Sequence, residues 1–164
     1  MRALVAYATR HGATRGIAER IAAKLEQPGS EVTLLPVDGV DDVAGYDAVV
    51  VGSSVYFGMW SKSAAELVRR NAQALRQVPV WLFSSGPVGN MNLPAPKEVA
   101  ELEDLIKPRG HQGFAGALDY GKLGVGEKLI VMGLHAPEGD FRDWNAIDQW
   151  AQGIGEEIRV GAVA

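Results

Sequence analysis

The chain contains no cysteine. That absence excludes disulfides, thiolate nucleophiles, cysteine-bound zinc and iron–sulfur clusters. Any redox chemistry must then sit on a bound organic cofactor. Also missing is an apolar run of about 18 residues, the length a membrane-crossing helix needs. The opening stretch Met1–Ala8 has too short an apolar run for a secretory leader and leads straight into a turn, so a cytoplasmic protein is expected. No run of five basic residues occurs and the net charge is −4. Without a basic face to neutralise phosphates, nucleic-acid binding is disfavoured. No G-x-x-x-x-G-K-[ST] is present, and no G-x-G-x-x-G follows the first strand. The nearest approach to the former, Gly121 to Gly126, is followed by Glu127-Lys128.

What remains has a globular balance: 47% apolar and 22% charged residues over 164 positions, expected to form a single domain over residues 1–164. Short apolar runs alternate with helical periodicity, the pattern of βαβ units and a parallel sheet. The runs are Ala3–Ala8, Val32–Leu35 closed by Pro36, Ala48–Gly52, Val78–Ser84 and Gly113–Leu118. Between them, apolar residues recur at helix spacing: Ile17, Ala18, Ile21, Ala22 and Leu25, then Leu67, Val68, Ala72 and Leu75. Ser63 and Glu66 read as a capping box, and Pro96 as a helix opener before Val99, Leu102 and Ile106. Asp143 is placed to cap a last helix with Trp144, Ile147, Ala151, Ile154 and Ile158 on one stripe. Lys128–Leu134 reads as an apolar helical stretch, by default core, otherwise a partner or membrane-surface patch. Five strands with intervening helices give an α/β, doubly wound five-stranded parallel sheet with helices on both faces, and 2-1-3-4-5 is one of its two common strand orders. Ligands of such sheets sit beyond the carboxyl ends where connections diverge, so the loops after runs one, three and four should form one site.

The first loop holds Thr9, Arg10, His11, Gly12, Ala13 and Thr14. It joins a buried strand to a helix N-terminus, where free N–H groups and the helix dipole suit a phosphate. Two hydroxyls add donors, and Gly12 permits positive φ. The second loop holds Ser53, Ser54, Val55, Tyr56, Phe57, Gly58 and Trp60. Its aromatics can stack on a planar ring; Tyr56 is favoured because it lies nearest the strand end. The third loop, Ser84, Ser85, Gly86, Pro87, Val88, Gly89 and Asn90, brings main-chain N–H groups towards a ring's carbonyls. A phospho-acceptor receiver domain shares this topology but needs acidic strand ends to hold magnesium. Here those ends carry Tyr7, Ala8, Thr9 and Gly52, Ser53, Ser54. His111 and His135 stand alone, with no cluster for a metal.

Tyr7–Thr14, followed by Ala18-Glu19 and Ile21, resembles the flavodoxin signature at strand one and its phosphate loop. Flavodoxins commonly carry a hydroxyl residue just before the glycine, where this chain has His11. Arg10, His11, Gly12 and Thr14 are closer to the flavodoxin-like protoporphyrinogen dehydrogenases, FMN enzymes of haem synthesis that pass electrons to a quinone. Gly52-Ser53-Ser54-Val55 with Gly58 and Lys62, Gly116–Tyr120, and Asp143-Trp144 extend the similarity over nearly the whole chain. The segment between Tyr120 and Asp143 is shorter than in the best-known members and lacks their basic and aromatic character; it is a candidate for substrate or membrane contact. The resemblance implies a flavodoxin-like fold and FMN held by the three loops. It also implies an FMN-dependent oxidoreductase passing electrons to a quinone or other small-molecule acceptor, with no side chain as acid or base. The alternative it leaves is a flavodoxin electron carrier working between redox partner proteins. Carriers dock through acidic faces, and a charge of −4 is modest.

Overall fold

Alternation of side chains along a strand, applied to strands apolar on both faces, builds the core. In β1 (Arg2–Ala8), Leu4, Ala6 and Ala8 point into one cluster and Ala3, Val5 and Tyr7 into the other. The structure is a computed structural model that describes residues 1–86 and 95–163. After β1 come α1 (Ala13–Leu25) and β2 (Glu31–Pro36), then β3 (Ala48–Tyr56) and β4 (Met59–Trp60). Next are α2 (Lys62–Arg70), α3 (Ala72–Leu75), β5 (Val80–Ser85), α4 (Lys97–Ile106) and β6 (Gly110–Phe114). The chain then forms β7 (Ala117–Leu118), α5 (Val125–Gly133), β8 (Gly139–Asp140) and α6 (Trp144–Val163).

The parallel strands lie in the order β2-β1-β3-β5-β6, which is 2-1-3-4-5 when the parallel strands alone are counted. The expected doubly wound α/β sheet is therefore present. Val49, Val51, Val80 and Leu82 join the cluster beneath α2, α3 and α4, while Ala48, Val50, Trp81 and Phe83 join the one beneath α1 and α6. Burying one large aliphatic side chain of this kind stabilises the fold by about 1.5–3 kcal/mol. Ile17, Ala18, Ile21, Ala22 and Leu25 are all buried, as their spacing predicts.

Four local expectations need correction. The third run does not stop at Gly52: β3 continues to Tyr56 because it folds back on β4, with Val55 opposite Trp60 and Tyr56 opposite Met59. The fifth run divides. Gly110–Phe114 pairs with β5, while Ala117-Leu118 leaves the sheet and pairs antiparallel with β8. The helix over Leu67–Leu75 breaks at Asn71, whose Nδ2 donates to the Leu67 carbonyl at 2.9 Å. No capping box forms from Ser63 and Glu66: α2 starts two residues early, behind Ser61, and Glu66 pairs with Lys62 at 3.7 Å. Asp143 does cap α6, accepting the Ala146 N–H at 3.0 Å.

Two packing features fix the ends of the central strands. Gly52 lies opposite Phe83 in the register, and a Cβ on it would come within 2.0 Å of that ring. The ring has no room to retreat, being fully buried with Phe114 and Trp150 at 6.2 and 6.1 Å between centroids. Nearby, Trp60 Nε1 donates to Ser84 Oγ at 2.7 Å, and Ser84 lies 2.8 Å from His111 Nε2. The arrangement that satisfies all three has the Ser84 hydroxyl donating to a neutral His111.

Gly52→Ala should therefore destabilise the fold by at least about 1–3 kcal/mol through overpacking, and Gly52→Ala with Phe83→Leu should recover part of the loss. Urea unfolding reads both; a wild-type midpoint for Gly52→Ala would refute the packing. A second expectation concerns pH. Burial lowers the His111 pKa, with Glu103 opposing more weakly. The unfolded imidazole thus takes up a proton at higher pH than the folded one, so stability should be level above about 6.5 and fall as pH drops below it. His111→Gln should flatten the difference between pH 6.5 and 5 in a urea series. An unchanged slope would mean the imidazole does not titrate with unfolding.

Candidate functional site

The register sets three loops at one level. Ala8 pairs with Ser53, Ser53 with Ser84, and Ser54 with Ser85, so the chain leaves all three central strands side by side. At the β1–α1 turn Gly12 is the N-cap, with φ of +96°, a left-handed conformation that favours glycine. Its N–H is taken by Thr9 Oγ1 at 2.9 Å, which closes the turn. No side chain caps α1, so its first N–H groups and its dipole face outward from the turn. Thr14, 1% exposed, is the second residue of the helix.

At the end of β3 the hairpin to β4 turns through Phe57 and Gly58, with φ of +50° and +73°. Positive φ at both central residues suits a two-residue hairpin, but on phenylalanine it is strained. The strain presents Tyr56 beside the first loop. Arg10 Cζ sits 4.0 Å above its ring, and the Phe57 edge packs 4.5 Å away. Trp60 goes the other way. It is buried with Ala64 and Ala65 in the core, its indole N–H bonded to Ser84.

A cavity of about 810 Å³ opens between these loops. Of the candidate residues, Thr9, Arg10, His11, Ala13, Thr14, Ser54, Val55, Tyr56, Phe57, Gly58, Ser85 and Gly86 line it. A smaller cavity of about 330 Å³ continues past Gly12 towards Lys122 and Arg142, and another of about 590 Å³ lies on the Trp60 side of Arg10 and Tyr56. Ser53 and Ser84 are turned into the protein: Ser53 Oγ accepts the Ser61 N–H at 2.9 Å, and Ser84 joins Trp60 to His111. Pro87, Val88, Gly89 and Asn90 lie outside the described residues.

The far wall comes from residues that the loops did not reveal. Gly116, Ala117, Leu118, Leu123, Val131, Leu134 and Ala136 also line the large cavity. Most of these precede or belong to α5, so Lys128–Leu134 is not core. Leu129 and Met132 are 68% and 60% exposed, and α5 has no buried residue. Its glutamate points inward. Glu127 accepts from Arg10 Nε at 2.6 Å and from the Tyr56 hydroxyl at 3.3 Å, and stands 3.5 Å from His11 Nε2. It also accepts the Gly124 N–H at 3.0 Å. That backbone bond, with Arg10 next, holds the Glu127 pKa down at about 2. Burial and the facing carboxylate raise the Tyr56 pKa. The arrangement offers a cationic, donor-rich corner at the α1 terminus and an apolar slot beside Tyr56. Among the described residues no helix is long and apolar enough to cross a membrane.

Comparison with known proteins agrees with this geometry. The chain is 25% identical over 171 residues to protoporphyrinogen IX dehydrogenase [quinone] of Escherichia coli strain K12, covering 94% of each. A flavodoxin from the domain Archaea superposes with a TM-score of 0.67 at 17% identity, over 97% of this chain and 99% of that one. Two-electron reduced Megasphaera elsdenii flavodoxin gives 0.62 at 16%, over 94% and 98%. The family model described as Flavodoxin domain matches residues 4–144. The chain belongs to the flavodoxin domain family.

Proposed function

We propose that the protein is an FMN-dependent oxidoreductase, a single domain that takes electrons from a reduced substrate and passes them to a quinone or a similar small acceptor. The observation that carries this reading is one cavity joining two chemistries, the uncapped α1 terminus at Gly12 and the aromatic hairpin at Tyr56. Its size suits a cofactor of this kind. At the phosphate end, His11 Nε2 is buried without a hydrogen-bond partner among the described residues, and a side chain at Gly12 would meet none of them. Those features fit a terminal phosphate held by Arg10, His11, Thr14 and the first N–H groups of α1. FMN supplies the hydride and electron chemistry when bound. The protein's part is to hold and to exclude: Tyr56 offers a fixed flat face, Val55, Leu118 and Leu134 keep the slot apolar, and Gly86 lets main chain approach. The name of the Escherichia coli relative favours protoporphyrinogen as the reductant and a quinone as acceptor. A carrier role between redox proteins is the competing reading. Exposed Phe57 and Met59 at the cavity rim favour an apolar reactant over an acidic docking partner.

Absorbance and mass spectrometry of the flavin released from purified protein test the reading directly. Titration with FMN, FAD and riboflavin should rank FMN first. Thr14→Ala should weaken FMN by about 1.5–3 kcal/mol, the cost of a donor lost to a charged group, and leave riboflavin nearly untouched. Equal weakening of both would make Thr14 a structural residue only. FAD as the main species would overturn the assignment.

The aromatic loop gives a separate expectation. Stacking on an electron-rich ring quenches flavin fluorescence and favours the oxidised form. Tyr56→Ala should raise bound-flavin fluorescence and shift the two-electron potential. Trp60→Phe should do neither, while lowering the unfolding midpoint through loss of its bond to Ser84. Wild-type quenching and potential in Tyr56→Ala would put the ring elsewhere.

A further inference from the structure

Glu127 stands where two functions meet. It is the carboxylate of an otherwise largely apolar, exposed helix, yet its side chain is only 19% exposed and reaches Arg10, His11 and Tyr56. Arg10 is the cation beside the α1 terminus, where a phosphate would sit, and His11 lines the same corner. We propose that Glu127 is a built-in counter-ion for this phosphate site: it holds Arg10 when no phosphate is bound and yields it when one arrives, loosening α5. The inference rests on the cofactor reading, since it needs a phosphorylated ligand at Gly12.

Three observations carry it. The first is charge. One carboxylate already balances Arg10, and a phosphate monoester brings close to two negative charges at neutral pH. Two anions sharing one guanidinium repel each other, and the phosphate offers the better bidentate partner. The second is which group can move. Arg10 is stacked on Tyr56 at 4.0 Å and leaves a buried strand, whereas α5 buries no side chain. The third is how α5 is held. Leu123 and Ala136 are buried at its two flanks, and the Tyr120 hydroxyl donates to the Ala136 carbonyl at 2.6 Å. Glu127 is the ionic tie in between. With the Arg10 side chain 49% exposed, water and a competing anion can reach the ion pair, so it suits a releasable contact better than a staple. Releasing it frees the first turn of α5 while Leu123 and Ala136 stay fixed on either side, so the helix with Val131 and Leu134 moves as one wall of the cavity.

The test compares wild type with Glu127→Gln, a near-isosteric change on an exposed helix. FMN and riboflavin affinities are measured by fluorescence titration, and α5 amide exchange by mass spectrometry with each ligand. Glu127→Gln should bind FMN about fivefold to tenfold tighter, with riboflavin unchanged, because only FMN competes with the carboxylate. In wild type, α5 should exchange faster with FMN than with riboflavin; in Glu127→Gln it should exchange fast throughout. Arg10→Gln should loosen α5 without ligand and narrow the preference for FMN over riboflavin. Equal or weaker FMN binding by Glu127→Gln, or α5 protection that rises with FMN in wild type, would overturn the proposal. If wild type bound neither flavin, the cofactor reading would fail instead. Inorganic phosphate would then test the counter-ion alone: it should speed α5 exchange in wild type and not in Glu127→Gln, and no effect on either would overturn it.

Discussion

The rest of the structure depends on one constraint: the central strands are apolar on both faces. A sheet of this kind must be covered on both sides, so the connections from β1 and β3 have to pass to opposite faces. α1 packs with α6 on one side, and α2 and α4 pack on the other. Where the connections part, the carboxyl ends of β1 and β3 face an open crevice that neither layer fills. The loops there are free of core duty. Polar and strained residues therefore collect at Thr9–Thr14 and Ser54–Gly58, a few residues from strands that tolerate no exposure.

How much of this was legible varied with the physics of each element. β1 and α1 were plain, because Ala3–Ala8 and the Ile17-to-Leu25 stripe each obey a single period and bury what that period predicts. The β1–α1 turn was plain for a related reason: a strand end, a glycine and a helix start lie within six residues. The β3–β4 hairpin was hidden. Its turn uses Phe57 in a conformation that phenylalanine rarely adopts, so no local signal marked it. Ser53, Trp60 and Ser84 look like site residues in the sequence, yet all three are buried and their side chains bond within the protein, Ser53 to Ser54 and Ser61, and Trp60 to Ser84. Glu127 was out of reach for a different reason. It meets Arg10 from 117 positions away, a contact fixed by the path of the chain after β6. Its place three residues after Gly124 was the available clue, since that is where a capping glutamate turns back towards the helix start.

Tyr56 and Trp60 show how tertiary context separates similar residues. Both leave the end of β3 within one hairpin, and both are aromatic with a polar handle. The handle decides. The indole N–H of Trp60 finds Ser84 inside the protein, so burial costs it no lost hydrogen bond. The Tyr56 hydroxyl reaches Glu127 on α5, so its ring stays among the residues that line the slot. Arg10 over that ring then limits the tyrosine to one orientation, and a ligand meets a surface that is already set.

The cavity consequently has two kinds of wall. One is made of strand ends and the α1 turn, tied into the core by the β1, β3 and β5 register. The other runs from Ala117 to Asp143, where Leu123 and Ala136 are the buried side chains and polar contacts do most of the holding. Local stability follows buried apolar contact, so the second wall opens at far lower cost than the first. A tightly held cofactor requires the rigid wall, because a phosphate site that shifts by an ångström loses its hydrogen bonds. A reactant that enters and leaves with each turnover requires the yielding one. On the function proposed above, a phosphate corner on β1–α1 and an apolar closure on α5 would satisfy both demands within one cavity.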